Sequence, residues 1–96
     1  MGKINEQHLL DEIRYDIEHK DIIKARLVLA ELDSVGLETQ KKALFEVSRA
    51  EDQLCIPLLA GVIGNNMAIV DTFPQIKETM VSKILDNPDV LLELLS

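Results

Sequence analysis

The apolar positions of this chain fall into blocks with helical spacing. From Asn5, a residue type that caps helix N-termini, Leu9, Leu10, Ile13 and Ile17 recur at three- and four-residue intervals as far as about His19. His8, Glu12, Tyr15, Asp16 and His19 fall on the other face, so the first helix reads as amphipathic. A second helix is predicted from the Asp21 cap through Leu32, stopping near Gly36, a residue suited to a left-handed helix end. Ile22, Ile23, Ala25, Leu27, Val28, Leu29, Ala30 and Leu32 cover most of its circumference, and only Lys24, Arg26 and Glu31 interrupt them. A helix apolar on most sides is buried on most sides, so neighbours are expected on both of its flanks.

The third helix is predicted over residues 39–50, with Ala43, Leu44, Val47 and Ala50 on one face and Phe45 off it. Asp52 would cap the fourth, whose run 54–63 carries no charge and is expected to be the most buried. Pro57 sits in or just past its first turn, where a missing N–H matters least. Gly61 removes a side chain and would permit close helix approach, and Gly64-Asn65-Asn66 ends the helix. Residues 67–71 read equally as a short helical turn or a connector. Thr72, with Gln75 completing a capping box, would start a fifth helix with the stripe Phe73, Ile76, Met80, Val81 and Ile84. Asn87-Pro88 would open a sixth over 89–95, apolar except for Glu93.

An amphipathic helix, a tight capped turn and a nearly all-apolar helix thus recur. The caps Asp21, Asp52 and Asn87 lie 31 and 35 residues apart. Alternation at this period predicts an all-α domain of about six helices, arranged as three antiparallel hairpins. The middle unit, residues 42–63, resembles a HEAT repeat. The matching residues are Ala43, Leu44 and Val47 on its first helix, the short Asp52 turn, and Ile56-Pro57-Leu58-Leu59 at the apolar-Pro-x-Leu start of its second. The likeness is good over residues 40–66, fair over 8–36 and poor over 67–96, where Pro74 and the Thr72 cap have no counterpart. What the resemblance implies is a right-handed array of the HEAT-like or ARM type, offering a surface to protein partners. It carries no catalytic residues, and such modules often sit beside other domains in regulatory and signalling proteins.

Ninety-six residues make one domain, 1–96. Only Tyr15, Phe45 and Phe73 are aromatic, so Leu, Ile, Val and Ala must fill the core, and four Gly and three Pro are too few for the turns of an all-β chain. The net charge of −7 divides as −3 over residues 1–36, −1 over 37–66 and −3 over 67–96. No segment is basic, which argues against nucleic acid and against anionic membranes. The uncharged run 54–63 is about half of what spans a bilayer. Cys55 is the sole cysteine, so no intrachain disulfide forms. With no signal-peptide core after Met1 and no myristoylation motif after Gly2, a cytoplasmic location is expected.

Little in the chain points to chemistry. His8, Glu12, Asp16 and His19 share one predicted helix face at i, i+4, i+8 and i+11, a spacing from which two neighbours would ligate a metal. A di-iron bundle needs a second carboxylate-x-x-His motif on a facing helix, and a solvated polar face with i,i+4 pairs explains the same residues. Neither His8-Leu9-Leu10 nor His19-Lys20-Asp21 matches the His-Leu-Lys-Gly signature of a histidine phosphotransfer bundle. Cys55 lies in an apolar run without an evident base. Gly61-Val62-Ile63-Gly64 follows a helix and lacks the lysine of a phosphate loop. We therefore expect no catalytic, cofactor-binding or metal residues, and not an enzyme.

Phe45, off the apolar face of its helix, and Tyr15 are the candidate partner contacts, because exposed aromatics are enriched at binding hot spots; the alternative for Phe45 is packing against the preceding hairpin. The partner would be a protein or a neighbouring domain of a longer parent chain, held by the first, third and fifth predicted helices. The end of the chain is apolar, and Leu91, Leu92 and Leu95 would support a homodimer. The rival readings are a six-helix adapter bundle, like the death-fold class in size, that self-associates, and a metal-binding helical domain.

Overall fold

The computed structural model describes residues 5–50 and 55–89. The chain is all-α. Six α-helices and one 3-10 turn lie among the described residues, with no strand.

Helix α1 (Glu6–Glu18) begins where its cap predicts, with the Asn5 side chain accepting the His8 N–H at 3.1 Å. Leu9, Leu10 and Ile13 are buried, with Ile17 packed beside them. Asp16, expected on the polar face, is only 5% exposed. One turn beyond Ile13 and beside Leu9 on the helical wheel, it borders the apolar stripe rather than opposing it. The helix closes with hydrogen bonds from Asp21 N–H to Asp16 O (2.7 Å) and from Lys20 N–H to Ile17 O (3.1 Å). This is the Schellman pattern, and it places Lys20 in the left-handed region at φ 59°.

The Asp21 side chain then accepts from Lys24 N–H at 3.2 Å and starts α2 (Ile22–Leu29). This helix ends earlier than expected. The chain passes into a 3-10 turn, Leu32–Ser34, whose Leu32 is fully buried. Gln40 holds the turn in place, its side-chain amide donating to the carbonyls of Leu32 (2.8 Å) and Val35 (3.2 Å). Gly36 is not a left-handed helix end. It is extended (φ −72°, ψ 165°), precedes α3 (Leu37–Ser48) as its N-cap, and donates its N–H to Glu6 Oε1 at 2.8 Å.

On α3 the expected stripe is realised, since Ala43, Leu44 and Val47 are buried, and Ala50 just beyond the helix is buried too. The predicted Asp52 cap lies outside the described residues. Cys55 precedes α4 (Ile56–Asn65), which has Pro57 in its first turn and Ile56, Leu58, Leu59, Ala60 and Val62 buried. Gly61 does not mark a close backbone approach: a Cβ there would meet only the Arg26 side chain, at 3.5 Å.

Residues 67–71 are a short helix, α5 (Met67–Asp71), that buries Ile69 and Val70. Thr72 is consequently no N-cap. Its hydroxyl donates backwards to Ala68 O at 3.1 Å, and α6 (Pro74–Leu85) starts after Phe73 without a side-chain cap, opened instead by Pro74. Met80 and Ile84 of α6 are buried, with Phe73 and Ile76 packed against the same core. Pro88 and Asp89 are helical, as expected after Asn87. The rest of the predicted sixth helix, with Leu91, Leu92 and Leu95, lies outside the described residues.

Helix α2 folds back on α1, α1 packs on α3, and α2 packs on α4. Helix α6 rests on both α3 and α4, with α5 wedged between α4 and α6. The core is the apolar cluster enclosed by these helices. The expectation that the second helix is covered on both flanks fails, because Ile23 is 75% and Leu27 67% exposed. Helix α2 packs on α1 and α4, and the face carrying Ile23 and Leu27 is left open. A wide apolar arc reports greasiness, not the number of neighbours available to cover it.

Candidate interaction surface

Helices α1, α3 and α6 enclose a groove of about 870 Å³. Its apolar lining comes from Ile17, Phe45, Ala50 and Ile76, with the buried Cys55 thiol donating to Ile17 O at 3.9 Å. The outward turn of α3 supplies Lys41, Phe45 and Arg49, which are one helical turn apart and so share a face. Phe45 is 50% exposed, and the Arg49 guanidinium lies 5.6 Å from its ring centroid, within cation–π range. From α6, Lys83 reaches the end of α3, its ammonium donating to Ser48 O and to Ala50 O (3.1 Å). A cation at a helix C-terminus satisfies carbonyls that have no partner within the helix and suits the macrodipole. The contact also ties α6 to α3.

The charge of the lining departs from that of the chain. Among the described residues, Lys20, Lys41, Arg49 and Lys83 line the groove, with Glu18 as the one carboxylate of that lining. At the rim, Glu46 is engaged by Arg14 at 3.2 Å. Segment sums of charge conceal this cluster, because its members come from three separated stretches, Lys20, Lys41 with Arg49, and Lys83. The sole hint in the sequence is that residues 37–66 carry only −1.

The two aromatics proposed as contacts are not brought together. Phe45 lines the groove, whereas Tyr15 stacks on His19 (centroids 3.9 Å apart) on another part of α1. The His19 ring is held by Nδ1, 2.9 Å from Tyr15 O, and His8 Nε2 lies 2.9 Å from Glu12 Oε1. Asp16 is buried at the edge of the core, whereas His8, Glu12 and His19 are exposed. Among the described residues no group of three or more His, Cys, Asp and Glu is placed to hold a metal ion. Burial raises the Asp16 carboxyl above its ordinary value, and the carboxylates of Asp21 and Glu12 push the same way against Lys24 and His19. Among the described residues, no helix is long and apolar enough to cross a membrane.

No protein-family model matches the chain, and neither a curated protein nor a solved structure matches it.

Proposed function

We propose that this chain is a non-catalytic protein-interaction module, a HEAT-like array of helical hairpins. Its α1, α3 and α6 groove would receive a protein partner or a neighbouring domain of a longer parent chain. The observation that carries the reading is Phe45, a half-exposed ring set in a groove beside an ion-capable neighbour, Arg49. Aromatic and arginine side chains in such positions are the residue types that dominate binding energy. The packing of α1 on α3 and α2 on α4 supports stacked hairpins. A cytoplasmic regulatory or signalling protein is the setting such a module fits.

The test is site-specific photocrosslinking in the native cell. A photoreactive phenylalanine at position 45 should give a discrete protein adduct that the same residue at Glu31, in the exposed turn after α2, does not. Equal adducts at both positions, or none at either, would remove the groove reading.

A second reading, self-association, is favoured by the open stripe Ile23, Leu27 and Ala30 on α2. Sedimentation equilibrium decides it. A concentration-dependent dimer abolished by Leu27→Glu supports it, and a strict monomer at high concentration ends it.

A further inference from the structure

We infer that the occupant of the groove is an acidic peptide segment carrying one large apolar residue, an inference that rests on the groove reading above. The charge of the chain is −7, yet three cations from two helices converge on this one concavity. Among the described residues none of Lys41, Arg49 and Lys83 is ion-paired with a carboxylate, whereas Arg14, Lys24 and Lys77 are. Lys83 is held in place by two backbone carbonyls, so its charge is fixed at the groove wall before anything binds. A cleft lined by one sign of charge focuses its field and raises the local concentration of the opposite sign. Phe45 and Ile76 supply apolar surface beside these charges. A short acidic segment meets only the groove. A long polyanion would also meet the acidic remainder of the surface, which disfavours nucleic acid.

The experiment is selection from a displayed library of random peptides of about twelve residues against the full chain. It is repeated against the Lys41→Glu/Arg49→Glu and Phe45→Ala variants. Lys41 and Arg49 are exposed and, among the described residues, unpaired with carboxylates, so the double variant should melt close to the parent. The expected result is enrichment of net-negative peptides with a large apolar residue. Their binding should weaken about tenfold or more in the double variant and fall as salt is raised.

Enrichment of neutral or basic peptides that still depend on Phe45 would overturn the acidic occupant while leaving the groove as a partner site. Acidic peptides indifferent to the double variant would overturn the inference, as would tighter binding of a single-stranded DNA oligonucleotide of about twenty nucleotides. Selection of acidic peptides only by a Glu51→Gln/Asp52→Asn variant would show that the chain's own carboxylates serve the groove, and the inference would fall. No enrichment, together with no adduct at position 45, would remove both readings.

Discussion

Lys20 is the one non-glycine residue with a positive φ among those described, at 59°, and its replacement by glycine tests the reading of the α1 end. The left-handed conformation costs an L-residue about 1–2 kcal/mol through Cβ crowding. Glycine escapes that crowding but gives up about 0.5–1 kcal/mol through its freer unfolded chain. The closing hydrogen bonds, Asp21 N–H to Asp16 O and Lys20 N–H to Ile17 O, are backbone bonds and survive the change. Lys20 makes a further interaction, so the informative comparison is Lys20→Gly against Lys20→Ala, two variants that both lack the lysine side chain. Glycine should be the more stable of the two by about 0.5–1 kcal/mol, or roughly 2–8 °C in Tm for a domain of this size. Inside a helix the order is the reverse, with alanine ahead by about 1 kcal/mol. Urea unfolding followed by circular dichroism measures the difference. Alanine equal to or ahead of glycine would refute a left-handed Lys20 and with it the Schellman closure.

Four further outcomes are expected. Gly61→Ala should raise stability by about 1 kcal/mol, since the new methyl meets the Arg26 side chain in ordinary contact at 3.5 Å; a lowered Tm would mean the α2–α4 contact is tighter than described. Lys83→Met should cost about 1.5–3 kcal/mol in denaturant unfolding by stripping the Ser48 and Ala50 carbonyls of their charged donor; an unchanged midpoint would show the clamp contributes nothing. Phe45→Ala should cost less than the roughly 3–5 kcal/mol of a core phenylalanine, because half of the ring is already in water. For Asp16 the folded-state pKa is raised, so the folded chain holds that proton more tightly than the unfolded one. The associated stability is present at low pH and lost as pH rises through the raised value. The stability of Asp16→Asn relative to the parent should therefore improve from about pH 3 to pH 7, and a flat difference across that range would contradict the burial of the carboxyl.

Local rules were enough for much of the fold. Asn5 and Asp21 cap their helices because a short side-chain acceptor next to unpaired N–H groups needs no distant partner. The stripes of α1 and α3 are buried because helical period alone puts Leu9, Leu10 and Ile13, or Ala43, Leu44 and Val47, on one side. Where the reading failed, a competing partner decided the outcome. Thr72 has the chemistry of an N-cap, but with α5 formed its hydroxyl serves the carbonyl of Ala68. Gly36 has the freedom of a left-handed residue, but Glu6, thirty positions away, takes its N–H in an extended conformation. The left-handed position fell instead on Lys20, whose type gives no sign of it.

The same division holds for the surface. Composition and periodicity by themselves determined an all-helical chain with an aliphatic core, because those properties depend only on which residues recur at which spacing. They also singled out Phe45 as off the apolar face of its helix. Only the tertiary structure decided that Lys41, Arg49 and Lys83 line one groove with that ring, that Asp16 is buried, and that Ile23 and Leu27 stand in water. Each depends on which helices end up side by side, and one-dimensional patterns of charge and hydropathy contain no distances between separate helices.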